Sequence, residues 1–238
     1  MVSLFVNPTQ FTPHEDFKGY PRDFERDRKM AEEVGTDILF APEAGEMYPP
    51  NHQTIVRVEK VTGNLCGRSR PTHFQGVATV VTMLFETVMP QVAIFGEKDY
   101  QQLVTIKQMV RDLHMSVEVV GMPTVREADG LAMSSRNAYL LPEERRAASS
   151  LYRSLQRAKE LLQKGERDAD RILQEMKRIL QSEPLVRMDY VEVCDARTLE
   201  DVKRIEGDVV IALAAYLGKT RLIDNLVFQN RSPDPPHR

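Results

Sequence analysis

The sequence is poor in the features that mark disulfide-rich, membrane-spanning or nucleic-acid-binding proteins. Its 238 residues include two cysteines and no tryptophan. Cys66 and Cys194 lie far apart and form no C-x-x-C or metal-binding pattern, which argues against a disulfide framework and favours a reducing, cytoplasmic compartment. The longest apolar run, residues 209–217, is too short for a membrane span of roughly 20 residues. A formal net charge of -3 provides no bulk attraction for nucleic acid.

The chain is organised around residues 91–102, QVAIFGEKDYQQ. The apolar first half predicts a buried strand, Gly96 permits a sharp turn, and a helix with one apolar face follows. Lys98, Gln101 and Gln102 then lie at the carboxyl end of a parallel strand, where open α/β folds bind ligands. Lys98 offers a point charge to a phosphate, and the glutamines offer amides to a hydroxylated or carboxylate substrate. The alternative is a solvated loop that Asp99 caps.

Strands and helices alternate through the first half of the chain. Strands are predicted at residues 2–6, 37–41, 91–94 and 117–121, an edge strand at 54–61, and helices at 23–34, 77–88 and 100–114. This alternation indicates a parallel α/β sheet.

The pattern changes near residues 123–126. Two long helices (142–164 and 168–180) and three strands (188–193, 208–217 and 222–228) follow. We therefore predict an α/β domain over residues 1–124, a smaller α+β domain over 125–229, and a disordered, proline-rich tail at 230–238.

Two further loops carry groups that bind anions. Arg70 and His73 lie in a glycine-flanked stretch, although such a stretch is also typical of a surface loop. Ser134, Ser135 and Arg136 place hydroxyl groups beside a guanidinium, a combination that can wrap phosphates. The alternative for this second loop is a serine pair that caps a helix.

Several motifs, in order and in spacing, resemble the pantoate–β-alanine ligase family over nearly the whole chain. They are FVNPTQF (5–11), YPR (20–22), RPTHF (70–74) with Gly76 and Val77, FGEKDYQQ (95–102), DGLAMSSRN (129–137), and LG (217–218) with TRLIDN (220–225). The resemblance implies a Rossmann-like nucleotidyltransferase domain with a C-terminal lid domain. It also implies ATP-dependent condensation of pantoate with β-alanine, through a pantoyl adenylate, in pantothenate and coenzyme A biosynthesis.

The resemblance further implies roles for individual residues. Lys98, Ser134 and Arg136 are expected to stabilise charge on phosphoryl oxygens. Gln10 and Gln102 are expected to bind pantoate, Gln10 also to border β-alanine, and Arg70 and His73 to shape that pocket. The expected ATP contacts are Gly96, Glu97, Lys98, Asp99, Val125, Met133, Ser134, Ser135 and Arg136.

The same resemblance implies Mg²⁺ on ATP and a homodimer formed through the first domain. Asp27 is the candidate metal ligand, and the alternative is a plain acid on a helix surface. Small molecules are the expected partners, with no nucleic acid and no membrane.

One family feature is absent from the sequence: a first strand followed by a glycine-rich P-T-M-G-x-L-H-x-G-H segment. No two of the five histidines are three residues apart. We therefore expect an N-terminally truncated chain, with an incomplete parallel sheet and little or no ligase activity. Two alternative functions remain at this stage. One is another nucleotidyltransferase of the same superfold, and the other is a non-catalytic relic that binds pantoate or a partner chain.

Overall fold

The computed structural model describes residues 1–12, 17 and 19–230. The predicted disordered tail, from residue 231 onward, lies outside the described residues. The helices and strands, in chain order, are β1 (Val2–Ser3), α1 (Phe24–Glu33), β2 (Leu39–Phe40), α2 (Ala44–Met47), α3 (Cys66–Ser69), α4 (His73–Val88), β3 (Val92–Gly96), α5 (Tyr100–Asp112), β4 (Glu118–Met122), α6 (Pro142–Gln163), α7 (Ala169–Gln181), β5 (Val186–Asp195), β6 (Val209–Leu217) and β7 (Thr220–Phe228). Of the helices in the described ranges, none combines the length and the apolar character needed to cross a bilayer.

The first half contains two separate pairs of parallel strands. β1 pairs with β2, and β3 pairs with β4 over five residues from Val92 opposite Glu118 to Gly96 opposite Met122. Helices alternate with these strands, which confirms the parallel α/β class. Within the described part of the chain, no strand bridges the two pairs.

Local signals set the helix ends in this half. The Asp23 side chain accepts a hydrogen bond from Arg26 N at 3.1 Å and so caps α1. Gly35, just after the helix, takes a φ of +78°, which is accessible to glycine at little cost.

The predicted edge strand at residues 54–61 is wrong. This segment has no strand partner in the described structure and runs as extended loop over α4. Val56 N donates to Thr79 Oγ1 at 2.9 Å, so a side chain on α4 replaces a strand ladder. Val58 and Val61 are buried against this helix layer, which explains the apolar alternation that resembled a strand.

The second half is a three-stranded antiparallel sheet covered by two helices. The strand order is β5–β6–β7, with pairings that run the full length of β6. Leu151, Leu155 and Leu162 on α6 are each 1% exposed, because their spacing places them on one helix face against the sheet.

Two apolar clusters divide the core, and β6 belongs to both. One cluster lies in the second half, where Ile211 and Leu213 pack with residues of α6 and α7. The other lies in the first half, where Val210 and Ala212 pack with residues of α4 and α5. Alternate residues of a strand point to opposite faces, so β6 is a wall that the two halves share. We propose that the domain boundary lies near residue 124, although the first-half cluster also contains side chains that follow this boundary in sequence.

Candidate functional site

A cleft of about 840 Å³ opens between the two halves. Its walls include cations from both sides: Arg70 and Lys98 from the first half, and Arg136, Lys219 and Arg221 from the second. Asp99, Glu144 and Asp224 are the acids in the same lining. The cleft is therefore suited to bind an anionic ligand that also carries polar groups.

Lys98 reaches this cleft from the turn between β3 and α5. Its Nζ lies 3.8 Å from Asp99 Oδ2, and its side chain is 20% exposed. The Asn225 side-chain amide donates to the backbone carbonyls of Glu97 and Lys98, each at 2.9 Å. Gly96 and Glu97 are not in the cleft lining, so the turn presents Lys98 and Asp99 to the cleft while β7 holds its backbone.

The two neighbouring glutamines on α5 differ in role. Gln102 lines the cleft. Gln101 is buried, and its amide donates to Val61 O and Asn64 O, at 3.0 and 2.7 Å, while its carbonyl accepts from Cys66 N. Gln101 also lines the cleft, but these protein groups occupy both N–H groups of its amide, and the expectation that it offers this amide to a substrate stays a prediction.

Ser134 and Arg136 enter the cleft from a hairpin at residues 125–137. The Ser134 hydroxyl accepts from Arg136 N at 3.3 Å and caps the short turn Ser135–Tyr139. Ser135 Oγ donates to Tyr20 Oη at 3.0 Å, which ties the hairpin to the first half. Ser135 is not among the residues that line the cleft.

Val125 and Met133 form the base of this hairpin. Met133 N donates to Val125 O at 2.9 Å, and the residues are 67% and 55% exposed. Neither residue lines the cleft.

Ion pairs make the hairpin rigid. Arg126 forms a bidentate pair with Asp224, at 2.7 and 2.9 Å, and its guanidinium lies 4.7 Å above the ring of Tyr152. Arg145 pairs with both Glu127 and Asp129 at 2.6 Å. Hydrogen bonds from the Arg145 guanidinium hold the pKa values of Glu127 and Asp129 below their ordinary values, so both carboxylates stay charged.

Gln10 lies beside the cleft and not in its lining. Its backbone carbonyl accepts from Arg70 Nη2 at 3.2 Å and lies 2.8 Å from His73 Nδ1. The latter contact assigns the proton to Nδ1, which leaves Nε2 to face Arg70 Nη1 at 3.3 Å. Arg70 and His73 therefore hold the Gln10 backbone, as well as lining the cleft.

A cluster that the sequence did not reveal surrounds the buried Cys66, which lies on α3 and lines the cleft. Arg221 pairs with Asp189, at 2.8 and 3.0 Å, and both of its Nη atoms lie 3.6 Å from Cys66 Sγ. Tyr190 Oη lies 3.2 Å from the same sulfur, and burial raises the pKa of this tyrosine. No local pattern marks the contacts of Cys66 with Tyr190 and Arg221, because they join residues 124 and 155 positions apart.

Asp27, the candidate metal ligand, lies in the first turn of α1 and does not line the cleft. Among the described residues, one group of three potential donors lies close together: Glu192, Cys194 and Asp201. Arg68 already pairs with Glu192, and Asn64 Nδ2 donates to Asp201 Oδ1 at 2.8 Å. Burial also raises the pKa of the Cys194 thiol, so this group is a hydrogen-bonded contact between the halves that has no ready thiolate for a metal.

Comparison with known proteins identifies the family. Residues 1–227 match the Pantoate-beta-alanine ligase family. A pantothenate synthetase from Syntrophus aciditrophicus is 59% identical over 228 residues, which cover 96% of this chain and 80% of that protein. A pantothenate synthetase from Desulfatibacillum aliphaticivorans is 55% identical over 229 residues, 96% of this chain and 82% of that protein.

Solved structures agree with the sequence comparison. The crystal structure of pantothenate synthetase from Thermus thermophilus superposes with a TM-score of 0.91 at 49% identity, covering 94% of this chain and 81% of that chain. A Francisella tularensis pantoate-beta-alanine ligase, complexed with beta-gamma ATP and beta-alanine, gives a TM-score of 0.73 at 30% identity over 94% of this chain and 77% of that chain. This similarity confirms the mixed α/β fold with a parallel sheet and a second, smaller unit.

Proposed function

The chain belongs to the pantoate–β-alanine ligase family, and from that premise we propose that it joins pantoate to β-alanine in the cleft, in two steps through a pantoyl adenylate. One observation carries the proposal. Lys98 on the β3–α5 turn and Ser134 with Arg136 on the 125–137 hairpin line one cleft, together with Gln102. Loops far apart in sequence thus bring cations, a hydroxyl group and an amide to one place.

The first step transfers an adenylyl group. A pantoate carboxylate oxygen attacks the α-phosphorus of ATP, a new P–O bond forms, and the bond to the β-phosphate oxygen breaks to release pyrophosphate. Negative charge grows on the phosphoryl oxygens, and Lys98 and Arg136 would supply the fixed cations that lower that barrier. The Ser134 hydroxyl adds a donor, and Gly96, Glu97 and Asp99 form the turn against which the nucleotide lies. Val125, Met133 and Ser135 would contact ATP from the hairpin at the rim.

The second step makes the amide. The neutral β-alanine amine attacks the pantoyl carbonyl carbon, the bond from that carbon to the phosphate oxygen breaks, AMP leaves, and the nitrogen releases one proton to water. Gln102 would hold pantoate from within the cleft. Gln10, positioned by Arg70 and His73 through its backbone, would orient pantoate and border β-alanine. A relative from Francisella tularensis has been solved in complex with beta-gamma ATP and beta-alanine, which supports ATP and β-alanine as ligands of this cleft.

Mg²⁺ would arrive as the ATP complex and supply charge for the phosphates. Mg²⁺ usually keeps several waters and is held by one or two carboxylates plus substrate phosphates. Asp27 stays the predicted carboxylate, although it lies outside the cleft lining. A homodimer and a cytoplasmic location remain predictions, and light scattering of the purified chain tests the first of them.

Pyrophosphate release with ATP, Mg²⁺ and pantoate, with and without β-alanine, tests the proposed function. We expect Lys98→Met to lower the rate by about 100- to 1,000-fold. The control is Lys107→Met, which removes the same charge from the part of α5 that lies outside the cleft. Pyrophosphate release that does not depend on pantoate would instead indicate another nucleotidyltransferase.

The expectation that the 238-residue chain is impaired by itself also stays a prediction. The same assay is run on a version that carries the N-terminal segment of a relative. Activity in the extended version alone would support the prediction. Equal activity in both would contradict it, and activity in neither would contradict the ligase assignment.

A further inference from the structure

Two neighbouring residues on β7, Asp224 and Asn225, contact the two loops that supply the cleft cations. Asp224 is 2% exposed and Asn225 is 7% exposed, so both polar side chains lie inside the protein. Buried polar groups are costly unless they are hydrogen-bonded, and here both are. Neither residue's role follows from the motif that contains it.

Asn225 holds the loop of Lys98. Its Nδ2 donates to Glu97 O and to Lys98 O, both at 2.9 Å. The amide has two N–H groups, and these two carbonyls use both of them. Because the carbonyls belong to consecutive residues, the contact fixes the backbone orientation from which the Lys98 side chain extends.

Asp224 holds the hairpin of Ser134 and Arg136. Its two carboxylate oxygens accept from the two Nη atoms of Arg126, at 2.7 and 2.9 Å. Arg126 Nη1 also donates to Gly130 O at 3.0 Å, which links the pair to the hairpin tip. Successive strand residues point to opposite faces, so one dipeptide reaches one loop on each side of the sheet.

We infer that Asp224 and Asn225 are positioning residues that set the distance between Lys98 and the Ser134–Arg136 pair. This inference rests on the proposed function for its meaning in catalysis, because the distance matters only where both loops act on one nucleotide. β7 itself is fixed by nine paired residues against β6. The dipeptide therefore anchors both loops to a strand that is paired along its whole length.

Hydrogen–deuterium exchange on the complete chain, without substrate, tests the inference at its structural level. Asn225→Asp is isosteric but replaces both donors by acceptors, so we expect faster exchange in peptides that cover residues 96–100 and unchanged exchange at 125–137. Arg126→Lys removes the bidentate pair with Asp224, so we expect faster exchange at 125–137 and unchanged exchange at 96–100. Equal loosening of both loops in each variant would overturn the inference, because it would indicate general destabilisation.

ATP affinity, measured by calorimetry with a non-hydrolysable analogue and Mg²⁺, provides the functional readout. We expect Asn225→Asp to weaken binding at least about tenfold, from the loss of two hydrogen bonds. Binding should recover in part as the pH falls, because a protonated carboxyl donates one hydrogen bond, whereas Asn225→Ala should show no such recovery.

The matched control is Asn230→Asp. The Asn230 amide also donates to a backbone carbonyl, Glu206 O at 2.9 Å, and it lies outside the cleft. Analogue affinity that is equal in Asn225→Asp and Asn230→Asp would overturn the inference. Failure of the unaltered chain to bind the analogue would count against the proposed function alone, because the exchange experiment needs no ligand.

Discussion

Two sheets of this chain, the parallel pair β3–β4 and the antiparallel sheet β5–β6–β7, differ greatly in how far their strands are buried. In β6 every residue from Val209 to Ala215 is at most 6% exposed, with antiparallel partners on both edges. In β3, Val92 is 50% and Ile94 is 68% exposed, and one described partner strand is present. Parallel strands are normally covered on both faces, so β3 is unusually open for its type. The cleft loops of the first half therefore depend on the second half for rigidity.

Truncation of one side chain in each of these two sheets tests the difference in burial. Leu213→Ala removes a fully buried side chain from β6 and is expected to lower the free energy of unfolding by about 2–5 kcal/mol. Ile94→Ala removes a largely exposed one and should change it by less than about 0.5 kcal/mol. Urea unfolding at matched protein concentrations measures both. A large loss for Ile94→Ala would mean that the β3 face is covered in solution.

Two glycines with similar positive φ angles extend the comparison to one loop in each half, and the expected loss of stability is intermediate. Gly130, in the hairpin, has a φ of +91°, and a Cβ there would lie 1.9 Å from the Tyr152 ring. Gly35, after α1, has a φ of +78° and nothing within 4 Å. Substitution by alanine should cost each about 1 kcal/mol for the left-handed backbone. Gly130→Ala should lose about 1–3 kcal/mol more from the clash.

Thermal unfolding of Gly130→Ala and Gly35→Ala, each against the unaltered chain, provides the measurement. If the two variants lose equal stability, the Tyr152 ring moves aside at little cost. The hairpin would then be softer than its contacts indicate.

The smallest expected effect concerns ion pairs and has a defined pH dependence. The pKa values of Glu127 and Asp129 lie below their ordinary values because Arg145 binds both carboxylates. The stabilisation is therefore present above about pH 4.5 and is lost as the pH falls through the lowered pKa values. Because all three side chains are partly exposed, we expect Arg145→Gln to cost only about 1 kcal/mol near neutral pH.

The matched variant in the first half is Arg28→Gln. Arg28 pairs with Glu25 and Glu32 on the α1 surface, where those partners are 74% exposed, and should contribute less than about 0.5 kcal/mol. Melting temperatures from pH 7 down to about pH 2.5 should converge for Arg145→Gln and the unaltered chain. A difference that persists at the acid end would contradict the role given to the two carboxylates.

Much of the fold could be predicted from the sequence because its elements carry local signals. The helical spacing over residues 142–164 and 168–180 predicted α6 and α7 with each helix end within one residue. The segment at 54–61 could not be separated from a strand, because burial of Val58 and Val61 imposes the same alternation. Only the absence of a strand partner distinguishes the two, and that depends on the tertiary fold.

The candidate site was less predictable from the sequence itself. Gln101 and Gln102 are chemically identical and both line the cleft, but the Gln101 amide donates to two backbone carbonyls of the protein. The rotation of about 100° per helical residue gives the two side chains these different surroundings. The contacts of Arg126 with Asp224 and of Asn225 with Glu97 span 98 and 128 positions. Such contacts leave no periodic or compositional trace. The family motifs predicted which residues act on the substrates, but they did not predict which of these residues touch one another.

The shared strand β6 limits how this protein can recombine with its relatives. Cys194, Leu199, Val210 and Ala212 follow residue 125 in sequence, yet they complete the apolar cluster of the first half. A chimera joined at the proposed boundary would therefore pair a foreign set of these four side chains with the native α4 and α5. Exchange of the halves should succeed between sequences that agree at these positions. Where the sequences differ, the chimera should take these four residues from the protein that supplies the first half.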